Sequence, residues 1–369
     1  MARLLPAFLS LVLIAASPVA SAQEAAPATA PVQERDAQPF IQSAVEGFIR
    51  PAYRAFRDRA QALSDAMRGL CERPSGETLG IARDAFRKTT RAWGQAEIIR
   101  FGPITEENRL ERILFFPDRR GTGLRQVQAA LASADESAAN TTLLAGKSVA
   151  MQGLGAIEFL VWGEGSDDLS GTEAAYRCRY ARAAAENVSN MARAVDAAWT
   201  DPKGFAASFS APSPTNSAYR TGDEALTEIL KTFVEGLERV RDVRIEGFLG
   251  DDPQSDKPQQ ALFWRSGMTL AVVGANMAGL SSLWEASGLQ AALPADSQWI
   301  GQSIRFEFAN ANGAAADLDR PVTDTLADAR ARGRLSYLSL VTSSLSDIFS
   351  NRLAPLLGLS AGFSSLDGD

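Results

Sequence analysis

Apolar residues recur at steps of three and four along most of the chain. Ala52, Phe56, Ala60, Leu63, Met67 and Leu70 form one such stripe, the spacing that lines up side chains on one face of an α-helix. Tyr176, Tyr180, Ala184, Val188, Met191, Val195 and Trp199 carry the same pattern over about six turns. Leu226, Leu230, Phe233, Leu237 and Val240 repeat it, and Leu338, Val341, Leu345 and Ile348 do so near the end. Gln302–Phe308 is the single brief strand candidate. Amphipathic helices bury their stripes against one another, so the pattern predicts an all-α protein built from helical bundles.

Two stretches interrupt the periodicity. Pro202, Gly204, Pro212, Ser213 and Pro214 cluster between Thr200 and Gly222, where both helical faces lapse. Leu249–Pro258 reads as a short charged loop. The expected organisation is an N-terminal bundle over 40–200, a connection over 201–222 and a C-terminal bundle over 223–369. Two segments are unusually apolar. Ser148–Gly163 contains one charge, Glu158, and Gly267–Trp284 contains none. The second raises the question of a membrane span, which needs roughly 20 apolar residues. Thr269, Asn276, Ser281, Ser282 and several glycines instead fit a helix buried between neighbours.

The first residues change the picture from fold to compartment. Arg3, the apolar run Leu4–Ala16 and the small-residue site Ala20-Ser21-Ala22 form an export signal over 1–22. Residues 23–39, rich in Ala, Pro, Gln and Glu, read as a flexible leader. In an exported chain the two cysteines, Cys71 and Cys178, are expected to form one disulfide. A net charge of −7 argues against nucleic acid, whose binding rests on Lys and Arg against phosphate, and offers nothing to an anionic membrane. The chain contains no histidine. That removes Ser-His-Asp triads, Cys-His dyads and His-based zinc motifs, leaving carboxylates, Lys, Arg, Tyr and Ser for any chemistry.

Glu158 stands out. On a helix its neighbours are Leu154, Val161 and Trp162, and Gly155 lies one turn earlier on the same face. A buried carboxylate costs several kcal/mol unless it is paired, protonated or bound to a cation. Glu97 follows Phe86, Thr90 and Trp93 on an aromatic face, with Arg100 three residues on and Gly102-Pro103 ending the helix. Either glutamate has a structural reading as well: satisfied inside the bundle by an arginine or a backbone amide.

Several motifs together resemble the imelysin-like proteins of bacterial envelopes. Gly153 to Gly163 resembles the family's Gly-x-His-x-x-Glu helix, with Gly153 and Glu158 in register. Trp93-Gly94-Gln95-Ala96-Glu97 with Arg100 to Pro103, Asn108-Arg109 through Phe116-Pro117-Asp118-Arg119, and Trp264-Arg265-Ser266-Gly267 through Asn276 to Leu280 follow in the family's order, as does the ending Gly358–Asp369. The resemblance implies two helical bundles with a cleft between them, a periplasmic or surface location, and an association with iron uptake. It also implies a metal site made by the signature His and Glu with a Glu from an earlier helix, here Glu158 and Glu97, with Gly155 standing where the His belongs.

Two carboxylates and water suit a hard cation such as ferric iron better than zinc or copper. Without the His, the same place also reads as a pocket for a small organic ligand, with Gly155, Arg109, Asp118, Trp264 and Arg265 as contacts and Arg112 and Arg119 nearby. The leading expectation is a periplasmic binding protein for iron or a small molecule, served by an envelope transport partner. The alternatives are a scaffold that keeps the fold without the site, and a peptidase of the family's historical label.

Overall fold

In the computed structural model, residues Asp36–Leu359 are described; the expected export signal, most of the expected leader and the last ten residues lie outside them. Among the described residues there are helices and no strands. Gln302–Phe308 is part of helix Gln298–Ala316, because Ile300, Ile304, Phe308 and Ala311 bury one helical face.

One group of helices comprises Arg50–Glu72, Gly76–Ala96, Leu154–Trp162 and Ala175–Thr200. Their predicted stripes are the buried ones: Phe56, Leu63, Met67, Trp93, Val188 and Trp199 are essentially inaccessible. Phe56 and Trp93 meet at 4.9 Å between ring centroids. Ser75 starts the second helix with a capping box to Thr78, its hydroxyl accepting the Thr78 N–H at 3.1 Å. A disulfide joins Cys71, at the end of helix 50–72, to Cys178, near the start of helix 175–200.

The second group comprises Gly222–Glu238, Thr269–Ser287, Gln298–Ala316 and Ala329–Asp347. Phe233 and Phe349 stack at 4.4 Å, with Trp284 edge-on to both. Helix 222–238 continues into a widened π-helical turn over Arg239–Ile245, which shifts the register of its side chains. The stretch between Thr200 and Gly222 contains a short helix, Phe205–Ser210, whose Phe205 and Phe209 pack with Trp199, Phe101 and Tyr219.

Helix 269–287, apolar on all sides, packs against both groups, as its composition predicts. Glycines set its approach to helix 76–96: a Cβ on Gly94 would lie 2.9 Å from the Ala275 Cβ, and one on Gly279 would lie 2.9 Å from the Gln95 carbonyl. This close crossing brings Asn276 to the end of helix 76–96, where Glu97 sits. Among the described residues no helix is long and apolar enough to cross a membrane.

Candidate functional site

Helix Leu154–Trp162 is entered through Gly153, whose φ is +88°. A Cβ there would sit 2.3 Å from the Arg112 carbonyl, so only glycine fits. Gly155 is the opposite case. A Cβ on it would meet nothing within 4 Å, because it borders a cavity of about 380 Å³. One wall of this cavity comes from residues 114–127 and 149–159, the other from 242–247 and 259–265. Glu158, Gly155, Asp118, Arg119, Trp264 and Arg265 all line it, so most of the polar residues singled out in the sequence converge on one space.

Glu158 is 5% exposed. Its Oε1 accepts the Ser266 backbone N–H at 2.8 Å and lies 2.8 Å from the Ser266 hydroxyl. Burial pushes its carboxyl above the ordinary value, and the Ser266 bonds and the Arg265 charge oppose that rise. The segment that carries Ser266 is held by the Thr269 hydroxyl on the Leu262 carbonyl at 2.7 Å. It includes Phe263 at φ +56°, an uncommon conformation for an aromatic residue. Arg265 lays its guanidinium over the Trp264 ring at 4.4 Å and the Phe159 ring at 5.4 Å. Burial lowers its pKa and Glu158 raises it again.

Glu97 is not among the residues that line the cavity. It is 3% exposed, and both of its oxygens are bonded. Oε2 accepts from Arg244 Nη2 at 2.7 Å, and Oε1 accepts from Asn276 Nδ2 at 2.9 Å. Arg244, on the widened turn, also rests on the Phe116 ring at 4.9 Å. Phe116 is part of the cavity wall, so the Glu97–Arg244 pair lies behind that wall. Half-buried Arg100 and Arg239 complete the cluster. Burial lowers the pKa of Arg100, with Glu97 opposing. Burial and the neighbouring Arg100 and Arg244 charges bring Arg239 down to about 10. Arg109, expected as a ligand contact, is spent on its own loop: it donates to the Pro103 carbonyl at 2.9 Å, to Glu106 at 2.9 Å and to Glu107 at 3.1 Å. Arg112 donates to Gln152 at 3.1 Å and Asn187 at 3.3 Å.

These donor sets do not fit the metal that the resemblance implies. Gly155 supplies no imidazole, Glu97 already faces a guanidinium, and the bonded oxygen of Glu158 faces two donors from Ser266. Among the described residues there is no group of three or more acidic or cysteine side chains placed to hold a metal ion. Ser266, Asn276 and Arg244 are the partners of the two glutamates that the sequence did not assign. Asn276 was open to discovery as an amide in the uncharged run Gly267–Trp284, whereas nothing around Arg244 marks it.

An all-α chain whose signature helix places a buried glutamate beside an inter-helix cavity defines a class, and the family comparison names it. The imelysin model, peptidase M75, matches residues 49–346, and the chain belongs to that family. Among its relatives is iron-regulated protein A of Synechococcus elongatus, 24% identical over 329 residues that cover 86% of each chain. The fold is similar to that of an imelysin-like protein from Psychrobacter arcticum, with a TM-score of 0.72, 21% identity, and coverage of 89% of this chain and 97% of that one. It is also similar to a candidate iron-regulated protein A precursor from Parabacteroides distasonis, with a TM-score of 0.69, 14% identity, and coverage of 87% and 97%.

Proposed function

We propose that the protein is an exported, periplasmic binding protein of the iron-linked kind, and that it holds a small molecule in the cavity beside Glu158. The observation that carries this reading is the open space at Gly155, bordered by a buried carboxylate and a half-buried guanidinium. Ligand pockets of roughly 300–1,000 Å³ suit organic molecules, and a bare ion would fill only a small part of this one. The export-like first 22 residues and the cysteine pair support the compartment. The name of the Synechococcus relative supports the link to iron. Glu97, closed off by Arg244 and Asn276, has a structural role under this reading.

Calorimetric titration with ferric citrate tests it. Saturable one-to-one binding is expected in the natural protein, with weakening or loss of that binding in Gly155→Leu, whose side chain projects into the cavity beside Glu158. Leucine is a better helix former than glycine by about 0.5–1 kcal/mol, and the space at Gly155 is open, so the variant keeps its fold. Binding that the plug leaves unchanged removes the cavity from consideration.

A further inference from the structure

The charges around the cavity are not equally free. Asp118 spends both oxygens on the start of helix Thr122–Ser133, accepting the Thr122 and Gly123 N–H groups at 2.7 Å each. Asp242 spends both on Arg241, at 2.5 and 3.0 Å. Glu158 is held by Ser266. Each acid of the lining thus already accepts hydrogen bonds from the chain, Glu158 through one oxygen, Oε1.

The arginines differ. Arg265 is half-buried and stacked on two rings, and among the described residues it makes no ion pair and its guanidinium donates no hydrogen bond. Arg119, at the exposed rim, is likewise without an acidic partner among the described residues. In a chain of net charge −7, the charged side chains of this cavity without a hydrogen bond or ion pair among the described residues are the two arginines. A guanidinium placed over aromatic rings with its N–H groups uncommitted can take a carboxylate through two parallel bonds. Phe116, Phe159 and Phe263 supply apolar wall for a ring-sized body.

We infer that the ligand of this cavity is a small organic acid whose carboxylate pairs with Arg265 and whose body lies against Phe116 and Phe263. The inference rests on the binding role proposed above and gives its ligand a chemical class. The acid can arrive free or as the chelating shell of ferric iron; the recognition by Arg265 is the same in both cases.

A calorimetric panel separates these possibilities, run on the whole protein with salicylate, citrate and ferric citrate as acids. Salicylamide serves as the neutral match and benzylamine as the cationic one. The acids bind, and the amide and amine bind at least about tenfold more weakly. Arg265→Gln lowers acid affinity roughly ten- to hundredfold, the span of one charge-assisted bond, and Arg265→Lys recovers part of it, which separates charge from folding. Equal affinity of citrate with and without iron assigns recognition to the acid; binding of ferric citrate alone assigns it to the chelate shell. Amide or amine binding as tightly as the acids, or an unchanged Arg265→Gln, overturns the acid class while leaving the binding role standing. If no probe of any charge binds, both fall.

Discussion

Replacing Arg244 should expose how the buried charge cluster is balanced. Arg244 and Glu97 are 5% and 3% exposed and meet at 2.7 Å. Breaking a buried ion pair from one side costs about 3–5 kcal/mol, because the remaining charge stays out of water unpaired. In Arg244→Met, Glu97 keeps the Asn276 bond and feels the Arg100 charge, which places the loss near the lower end. Losing the guanidinium on Phe116 adds about 0.5–1 kcal/mol, and relief of repulsion with Arg100 and Arg239 offsets part of that. The net expectation is about 3 kcal/mol. Arg244 already carries two unpartnered buried nitrogens, Nε and Nη1; Glu97→Gln removes its ion-pair partner beside two cationic neighbours, so its expected loss is about 4 kcal/mol. The double variant removes both charges and should recover about 2–3 kcal/mol relative to the sum. Urea unfolding followed by tryptophan fluorescence, with the disulfide oxidised, measures all four corners of the cycle. Single losses below about 1 kcal/mol, or strict additivity, would refute the idea that this pair is a coupled, desolvated unit.

The Cys71–Cys178 bond closes a loop of 107 residues, so Cys71→Ser with Cys178→Ser should lower unfolding free energy by about 4–5 kcal/mol on the chain-entropy model; a denaturation midpoint that does not move would contradict this. Burial holds the Glu158 pKa above its ordinary 4.5, so the stability this group contributes is fully present below pH 4.5 and is lost as pH rises through the raised value. Glu158→Gln cannot ionise and keeps an oxygen for Ser266, so it should gain on the natural protein between pH 4.5 and 8; a stability difference that stays constant over that range counts against the argument.

The helices were legible because their signal is local. The stripe from Ala52 to Leu70 and the one from Tyr176 to Trp199 are the buried faces of single long helices, and the period that marks them is the one that packs them. Residues 302–308 misled because a run of seven is too short to separate two periods when Phe306 faces solvent. Glu158, Asp118, Trp264 and Arg265 could be nominated because each is a polar or aromatic side chain in a segment of contrasting character. Their convergence on one cavity could not, since it depends on how a loop near residue 263 meets a helix more than 100 positions earlier. Glu97 shows the limit most clearly. Its apolar surroundings signalled burial, but its partner lies 147 residues away, on a widened turn that no periodicity announces.

A buried carboxylate needs donors or a counter-charge, and a protein can meet that need with a bound cation or with its own groups. For Glu97 this chain uses a guanidinium and an amide; for Glu158 it uses the N–H and hydroxyl of one serine. Both acids thus already accept hydrogen bonds from the chain, and Glu97 has a cationic partner as well. The position that the resemblance gives to a ligating imidazole is open volume at Gly155, and among the described residues the half-buried Arg265 beside that volume makes no ion pair. On the reading proposed above, a place that carboxylates alone would make attractive to cations also presents a guanidinium to whatever enters. A family fold linked by name to iron is therefore compatible, in this chain, with recognition of the acid that carries the metal and not of the metal itself.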